Sequence, residues 1–408
     1  MDSQMQTRPC WVEIPTGAFE NNYRLLSSTT AEVAGNSAPS VELLAIVKAD
    51  AYGHGLELCA PAAVRAGARW LGVTSVEEGV EARRICTAAD SNPEILVISG
   101  VFAGQADAVI QHRLTCVAWE NWQLDELEAA ARRAGSAPGT VAVHLELNTG
   151  MSRQGVDPAD IERVLGRFVA ESPLRLDGLM THLYAADESD GEVTRSQMGL
   201  LETFVERICS FGALRPTWLH VGNSAAVLAG EVPHSLMQLA SRFGLRPLMR
   251  PGLALYGLAP GFSPEEPKRV TELRDKLRPV LTWKTQVVGV REVAAGHVVG
   301  YNGTFVATEP MKVALLAVGY ADGLKRALSN RGSVLIRGQR APMVGRISMD
   351  QTVVDVTEIG DVQAGDEVVL LGHQGDEWIS AEEHASEAGT IVWEIFTSIT
   401  ARVRRLGV

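Results

Sequence analysis

The chain has 408 residues, a formal net charge of −12 at pH 7 and an apolar content of 46%, values that are ordinary for a globular protein. Its length predicts two domains, since a single hydrophobic core rarely grows to this size. The negative charge, without any long run of Lys and Arg, argues against a nucleic-acid partner. The sequence contains no apolar run of about 18 residues, so we expect no membrane span and no membrane partner.

The N-terminus and the cysteines indicate the compartment. The segment before Arg8 is polar and lacks the apolar core of a secretion signal. The five cysteines are widely spaced and never form a Cys-x-x-Cys pair; they are Cys10, Cys59, Cys86, Cys116 and Cys209. This usage predicts reduced thiols rather than disulfides or a zinc ribbon, and therefore a cytoplasmic protein.

The first part of the chain alternates between strand-like and helix-like segments. The apolar runs that predict strands are Leu43–Val47, Trp70–Thr74, Ile95–Ile98, Thr115–Ala118, Val141–Leu147, Gly178–His182, Trp218–Gly222 and a last one near Leu248–Leu255. Glu77–Thr87 and Glu120–Ala134 have the apolar spacing of amphipathic helices. The gaps of roughly 20–40 residues between runs suit helical crossovers between parallel strands. Eight such units predict an α/β barrel of TIM type.

The pattern changes after Gly261. Residues Gly261–Lys276 are rich in Pro and charge and predict a linker. Short alternating runs then follow, which are Thr282–Val290, Met311–Val318, Ser333–Ile336, Thr352–Val356 and Glu367–Leu371. They predict a mostly-β domain, and the early run Cys10–Ile14 could pair with it. We therefore predict a barrel over residues 14–262 and a C-terminal β domain over residues 263–408, together with residues 1–13.

A lysine lies at the end of the first predicted barrel strand. The run from Val41 to Val47 is almost wholly apolar, and Lys48 follows it directly. A partly desolvated lysine has a lowered pKa and a nucleophilic amine, which can bind an aldehyde cofactor covalently. The alternative is a lysine that only extends from the strand end into solvent. Tyr52 and the glycines that follow it suit a tight loop in which backbone approaches a ligand closely.

The run AIVKADAYGHG, Ala45–Gly55, resembles the pyridoxal-phosphate motif of the alanine racemases. The resemblance extends along almost the whole chain, through Val299–Thr304, Val318–Gly323 and Arg346–Gln351. It implies an isomerase that interconverts L- and D-alanine with pyridoxal 5'-phosphate and supplies D-alanine for peptidoglycan. The substrate would be a small amino acid, and Lys48 would hold the cofactor.

The resemblance also implies which residues bind the cofactor. Backbone amides, helix starts and hydroxyls are the groups that phosphate prefers. The loops after the last two barrel strands offer such groups at Asn223, Ser224, Gly252 and Leu253. The resemblance implies phosphate binding by Tyr52, by the Ser224 hydroxyl, and by Gly252 and the backbone amides that follow it. From its sequence context alone, Ser224 could equally be a simple helix cap.

Further residues match positions around the cofactor ring and the substrate. Arg250 matches an arginine at the pyridine nitrogen, and because it lies in an apolar run we expect it to be buried with a partner. Arg153 matches an arginine near the phenolic oxygen and the substrate carboxylate. His182 matches a histidine that links the ring arginine to a catalytic tyrosine.

Racemisation needs a base on each face of the substrate. The resemblance implies Lys48 for one face and Tyr301 for the other, with Tyr301 supplied by a second subunit. A head-to-tail homodimer with shared active sites follows. A free tyrosine is a weak base at neutral pH and needs a neighbouring cation or a hydrogen-bond relay. Tyr320 matches an entryway tyrosine, and Met349 matches a residue whose backbone amide contacts the substrate carboxylate.

Two positions depart from the family pattern. Glu146 stands where many members carry a carbamylated lysine that orients the equivalent of Arg153. We hypothesise that the glutamate replaces the carbamate directly. Trp393 stands where a tyrosine often bonds the phosphate and narrows the entryway. The expected substrate is alanine, with serine as a possible second substrate.

Three other functions fit the sequence less well. Decarboxylases on this barrel carry a catalytic cysteine in the second domain, whereas all cysteines here lie within the first 209 residues. A D-threonine aldolase needs a metal site from late His and Cys residues. His373 and His384 have no companion Cys and are expected at the surface, so we expect no metal. A non-catalytic cofactor-binding regulator would be a single short barrel without the domain that bears Tyr301 and Met349.

Overall fold

The computed structural model describes residues 8–34, 41–212 and 214–408. The described part divides into two compact units. The barrel unit contains the described residues of 17–51 and 56–278, and the β unit contains residues 8–16, 52–55 and 279–408. The predicted boundary between residues 262 and 263 stays a prediction.

The barrel unit is built on a closed parallel barrel. The first strand of the chain, β1 (Cys10–Ile14), belongs to the β unit. In the part of the chain that the structure describes, the barrel strands are β2 (Glu42–Ile46), β3 (Trp70–Val73), β4 (Glu94–Val97), β5 (Thr115–Ala118), β6 (Val141–Glu146), β7 (Leu174–Met180), β8 (Trp218–His220) and β9 (Arg246–Met249). Each strand pairs with the next, and β9 pairs with β2, where Leu43 lies opposite Met249. This closure confirms the predicted barrel.

Helices precede, connect and follow the barrel strands. They are α1 (Thr16–Ala34), α3 (Leu56–Arg65), α4 (Val76–Ala88), α5 (Ala106–Gln111), α6 (Asn121–Arg133), α7 (Ile161–Leu165), α8 (Glu192–Cys209), α9 (Ser224–Ala229), α10 (Glu231–Phe243) and α11 (Lys268–Arg274), while α2 (Lys48–Tyr52) is one left-handed turn. Apolar strand residues such as Leu44, Leu71, Ile95 and Leu145 are fully buried, because the barrel interior is a packed core.

The β unit contains one large sheet, a two-stranded sheet formed by β11 (Val298–Val299) and β12 (Phe305–Val306), and two α-helices in its described residues. The sheet runs β15 (Gln339–Pro342), β14 (Ser333–Ile336), β17 (Glu367–Gln374), β10 (Thr282–Val293), β1 and β19 (Arg404–Gly407). Further strands are β13 (Met311–Leu316), β16 (Thr352–Asp355) and β18 (Glu377–Ile379), and the helices are α12 (Ala381–Ala388) and α13 (Val392–Thr397). The expected pairing of Cys10–Ile14 with this domain is confirmed, since Cys10 lies opposite Thr285 in β10.

Two segments differ from their predicted structure. The last barrel strand was expected near Leu248–Leu255, but β9 ends at Met249 and Leu253–Tyr256 form a 3₁₀ turn. Pro251 cannot donate to a strand ladder, and a short buried apolar run does not distinguish strand from helix. The predicted linker Gly261–Lys276 contains α11, which buries Val270 and Leu273. In the described ranges, no helix has the length and apolar character to cross a membrane.

Candidate active site

Lys48 follows β2 after one residue and begins an unusual turn. The next residues, Ala49–Tyr52, have φ between 51° and 54°, the left-handed region that costs a non-glycine residue about 1–2 kcal/mol. The turn is closed by the amide of Ala51, which donates to the carbonyl of Val47 at 2.9 Å. The Asp50 side chain accepts from the amide of Leu56 at 2.7 Å. Backbone strain of this kind concentrates at functional sites, where the surrounding structure holds it in place.

The surroundings of Lys48 favour its neutral amine. Burial lowers the pKa of Lys48, the positive charge of Arg153 lowers it further, Glu78 acts to raise it, and Arg250 lowers it again. The net direction is downward, so more of the amine is unprotonated at neutral pH than in a free lysine. An unprotonated amine is the form that attacks an aldehyde carbonyl.

The loops after β8 and β9 meet at one hydroxyl. The Oγ atom of Ser224 accepts hydrogen bonds from the amides of Gly252 at 3.0 Å and Ala254 at 3.1 Å. The cap of α9 is Asn223 instead, whose Oδ1 accepts from the amide of Ala226 at 3.2 Å. The interpretation of Ser224 as a simple helix cap is therefore wrong. Leu253 is buried in the same turn, and the convergence of hydroxyl and backbone amides fits a phosphate.

Arg250 is buried, as expected, with an exposed fraction of 4%. Its guanidinium donates to the carbonyl of Thr181 at 2.7 Å and lies 3.3 Å from Nδ1 of His220 and 3.4 Å from Nδ1 of His182. Burial lowers the pKa of Arg250 to about 10, while the Glu146 carboxylate acts to raise it, so the group stays charged at neutral pH. A guanidinium held in place by neutral groups suits a position beside the pyridine nitrogen of the expected cofactor, because its charge keeps that nitrogen unprotonated.

His182 is neutral at physiological pH. Burial and the charges of Arg250, Arg153 and Lys48 lower the pKa of His182 to about 3. Because a guanidinium only donates, Nδ1 of His182 accepts the bond from Arg250, and we assign its proton to Nε2. Half of the relay implied by the resemblance, from Arg250 to His182, is thus present in a single chain.

A buried pair of histidines was missed in the sequence. Nδ1 of His144 lies 2.9 Å from Nε2 of His220, and burial lowers the pKa of both. His220 in turn accepts from Arg250, so the pair supports the guanidinium from inside the barrel. Gly178 makes room for it, because a Cβ there would lie 2.6 Å from the His144 ring. The available signal was a histidine in each of two largely apolar strands.

Glu78 was also missed. Its carboxylate accepts from the amide of Ala49 at 2.7 Å and from that of Thr74 at 2.8 Å. The sequence offered only an acidic residue in the first turn of a predicted helix, which is common on any helix surface. The contact with the residue after Lys48 depends on how β2 and β3 pair.

Glu146 and Arg153 lie in the barrel unit, the first buried and the second exposed. Burial raises the pKa of Glu146, although a hydrogen bond from Gln154 and the charges of Arg250 and Arg153 act in the opposite direction. The hydrogen bond on this carboxylate comes from Nε2 of Gln154. Its interaction with Arg153 is therefore one of charge, so the hypothesis that Glu146 orients this arginine stays a prediction.

The site residues of the β unit behave differently. Tyr301, Tyr320 and Met349 are 69%, 41% and 53% exposed. Two backbone hydrogen bonds join the loops of the last two residues, since Tyr320 donates to Ser348 at 3.1 Å and Ala321 donates to Met349 at 2.9 Å. These side chains are held on a defined backbone but are not enclosed by the chain that bears them.

Tyr52 and Trp393 also lie in the β unit. Tyr52 is buried, which raises its pKa to about 12 and keeps the phenol protonated as a hydrogen-bond donor. The segment after it is anchored, since the carbonyl of Gly53 accepts two hydrogen bonds from Arg405, at 3.1 and 3.0 Å. Trp393 is half-buried in α13.

The two late histidines differ from each other. His373 is exposed and stacks on Trp378. His384 was expected at the surface, and this was wrong: it is 1% exposed and lies on the buried face of α12, beside Ala381 and Ala385. Among the described residues, no group of three or more His, Cys, Asp or Glu side chains is arranged to hold a metal.

Taken together, the barrel residues fit the cofactor that the resemblance implies. Lys48 offers an amine of lowered pKa, Ser224 offers a hydroxyl donor for the phosphate that is held in place by two backbone amides, and Arg250 offers a cation for the ring. The chemistry of this donor set matches a phosphorylated aromatic aldehyde.

Comparison with known proteins identifies the family. The family models described as alanine racemase, N-terminal domain, and alanine racemase, C-terminal domain, match residues 14–260 and 280–407. Alanine racemase from Sorangium cellulosum is 39% identical over 407 residues, covering 98% of both chains. Alanine racemase from Symbiobacterium thermophilum is 41% identical over 400 residues, covering 98% of this chain and 97% of its own.

Solved structures agree with this result. The crystal structure of alanine racemase from the D-cycloserine producer Streptomyces lavendulae has a TM-score of 0.85 and 34% identity, covering 99% of this chain and 98% of its own. That of alanine racemase from Bartonella henselae, with covalently bound pyridoxal phosphate, has a TM-score of 0.80 and 26% identity, covering 98% and 99%. The chain therefore belongs to the alanine racemase family.

Proposed function

We propose that this chain is a pyridoxal-phosphate-dependent isomerase that interconverts L- and D-alanine and supplies D-alanine for peptidoglycan. The observation that supports this most is Lys48, an amine of lowered pKa at the end of a barrel strand, in a chain that matches the family over its full length. Its reduced thiols and negative charge fit a cytoplasmic enzyme.

Cofactor binding is assigned to residues of both units. Lys48 would attach the aldehyde, and Tyr52, Asn223, Ser224, Gly252 and Leu253 would hold the phosphate. Arg250 would face the ring nitrogen, and Arg153 the phenolic oxygen. When bound, the cofactor supplies an electron sink that makes the α-proton of an amino acid acidic enough to remove. A charged Arg250 opposes protonation of the ring nitrogen, which limits that sink and disfavours side reactions such as transamination.

Two bases on opposite faces would move the proton. The neutral amine of Lys48 would accept or return it at Nζ on one face, and Tyr301 would do so at its phenolic oxygen on the other. His182 supports the second role, because its proton lies on Nε2 and can be donated to that oxygen. Arg153 and the backbone amide of Met349 would hold the substrate carboxylate, and Tyr320 would line the entryway. Well-placed acid–base groups contribute about 10²–10⁴-fold each.

We further propose a homodimer in which each β unit completes the barrel of the other copy. Tyr301, Tyr320 and Met349 support it, since all three are exposed in the single chain although the chemistry needs an enclosed site. A partner of this kind is a second copy of the chain, related by a two-fold axis.

One assay tests the proposal. The purified protein, supplied with pyridoxal phosphate, should absorb in the visible range and convert L-alanine to D-alanine, detected with a D-amino-acid oxidase. A colourless protein that forms no D-alanine would overturn the assignment. A second candidate is a racemase of broader specificity, favoured by Trp393 at the position of the usual tyrosine; L-serine converted as fast as L-alanine would support it.

Glu146 has its own test. If its charge positions Arg153, Glu146→Gln should raise KM for alanine and lower kcat by roughly three- to tenfold, the effect of one weakened charged contact. The matched control is Glu162→Gln, which removes a carboxylate charge from an exposed position in α7, where it pairs with Arg207, and should change neither constant. Unchanged constants in Glu146→Gln would refute the role.

A further inference from the structure

The barrel strands β2 and β3 separate directly before the site. Their last paired residues are Ile46 and Gly72, and the amide of Val47 continues the ladder to the carbonyl of Gly72 at 2.9 Å. Beyond this point, the segment after β2 enters the left-handed turn that begins at Lys48, and the segment after β3 passes through Thr74 to α4. Backbone amides at such a fork have no strand partner and need another acceptor.

One carboxylate accepts from both sides of this fork. Oε1 of Glu78 accepts from the amide of Ala49 at 2.7 Å, and Oε2 accepts from the amide of Thr74 at 2.8 Å. Ala49 is the residue directly after Lys48 and the first with a left-handed backbone. The two strand ends are therefore joined through a single side chain.

Glu78 is well placed for this contact. It is the third residue of α4, and its own amide donates to Oγ of Ser75, the helix cap, at 3.3 Å. In a usual capping box, the third residue returns its carboxylate to the cap residue's amide. Here the carboxylate extends to Thr74 and Ala49 instead. Hydrogen bonds to a carboxylate are stronger than those between two neutral groups.

We propose that Glu78 is a positioning residue for Lys48, which holds the strained turn after the lysine against the end of β3 and places a negative charge beside the amine. The inference rests on the proposed function, since it concerns the same lysine. Glu78 does not touch substrate in this role; it acts through the backbone of Ala49 and through its charge.

The charges around Lys48 make the second part of this role measurable. The groups that face the amine are Arg153, Arg250 and His182, and Glu78 is the acid that opposes them. Removing its charge should lower the pKa of the amine further. Removing its hydrogen bonds should loosen the turn. Losing the charge should move the pH profile of the cofactor-uptake rate to lower pH. Losing the hydrogen bonds should lower the maximum rate that this profile reaches.

The test measures how fast the apoprotein takes up pyridoxal phosphate between pH 6 and 10, followed by absorbance and confirmed by borohydride trapping and mass spectrometry. Glu78→Gln should lower the plateau rate about tenfold, as expected for one lost bond to a charged acceptor. Its midpoint should move to lower pH by about half a unit or more. Glu78→Asp keeps the charge and both oxygens on a shorter stem, so its midpoint should stay near that of the wild type while its plateau falls.

Two controls separate this role from helix stability and general charge. Ser75→Ala removes the cap of α4 without touching Ala49, and should lower the melting temperature while leaving the pH profile in place. Glu81→Gln removes an exposed carboxylate of the same helix, paired with Arg84, and should change neither.

The outcomes are distinct. A profile of Glu78→Gln that coincides with the wild type, or that changes only as much as that of Ser75→Ala, overturns the positioning role. If Glu78→Gln does not fold, Glu78→Asp decides, and a wild-type plateau in that variant also overturns it. A wild type that takes up cofactor but forms no D-alanine contradicts the proposed function and leaves the positioning result intact.

Discussion

The two units present their site residues in opposite ways. In the barrel unit, Arg250, Ser224 and His220 are buried and hydrogen-bonded within one chain. In the β unit, Tyr301 and Met349 are more than half exposed. Buried polar groups must find partners on folding, so the barrel half of the site is organised before any ligand or second copy arrives. The β half has a firm backbone but lacks an enclosure, which a second copy would provide.

The largest expected effect is on the racemase activity of mixed dimers, which tests whether the exposed residues of the β unit complete the site of a second copy. Lys48→Ala and Tyr301→Ala should each lower activity by at least about 10²-fold, since each removes one base. If the β unit of one copy completes the site of the other, an equal mixture of the two variants, refolded together, should regain about a quarter of the wild-type activity. Half of the dimers are then mixed, and each mixed dimer holds one complete site out of two. Racemisation is measured after mixing, and native mass spectrometry confirms exchange.

Mixed dimers that form but remain inactive would contradict the shared site. The control is a mixture of Lys48→Ala with a double Lys48→Ala/Tyr301→Ala variant, which contains no complete site in any arrangement and should stay inactive.

A histidine of lowered pKa in each unit sharpens the comparison through pH. Burial lowers the pKa of His384 to about 4, below its unfolded value of 6.5. The unfolded chain then binds more protons, so His384 contributes stability above pH 6.5 that is lost as the pH falls toward 4, by about 2 kcal/mol at pH 5. His384→Gln should flatten the acid side of the stability profile, measured by urea unfolding, while leaving racemisation unchanged.

His182 provides the contrast. The pKa of His182 is lowered to about 3. His182→Gln should therefore also reduce the loss of stability at acid pH, but, unlike His384→Gln, it should lower the racemisation rate. Equal effects of both variants on activity would show that these two histidines do not differ in role.

Cofactor affinity tests the barrel half alone. Ser224→Ala removes the acceptor shared by the amides of Gly252 and Ala254 and should weaken pyridoxal-phosphate binding roughly tenfold, or about 1.4 kcal/mol. Ser380→Ala removes the cap of α12 in the β unit, where the serine accepts from the amide of Glu383, and should leave that affinity unchanged. The measurement is a fluorescence titration of each apoprotein. Equal losses in both would contradict the role of Ser224.

The smallest effect concerns the left-handed turn. Ala49 is exposed with φ of 53°, so Ala49→Val should lower the free energy of unfolding of the apoprotein by about 1 kcal/mol, and Ala49→Gly should leave it unchanged or raise it. Ala134→Val is a control at an exposed helix end with φ of −77°. Similar losses in both valine variants would show that the turn at Ala49 is not strained.

Much of the fold follows from local patterns. Apolar runs at crossover spacing indicated the barrel strands, and turn-separated alternating runs indicated the β unit. The errors occurred where local pattern is ambiguous: Leu253–Tyr256 is as apolar as a strand, and α11 is a short helix in a polar, Pro-rich segment. His384 was misplaced because a single polar residue in an amphipathic helix can lie on either face.

The amino-acid sequence alone determined the identity and order of the chemical groups: a lysine after an apolar strand, a serine and glycines after later strands, and a tyrosine in the β region. Only the tertiary structure decided their partners. Ser224 binds an amide 30 residues away, Glu78 one that is 29 residues away, and His144 lies against a histidine 76 residues away. Such contacts depend on which strands become neighbours when the barrel closes, and no local pattern encodes that adjacency.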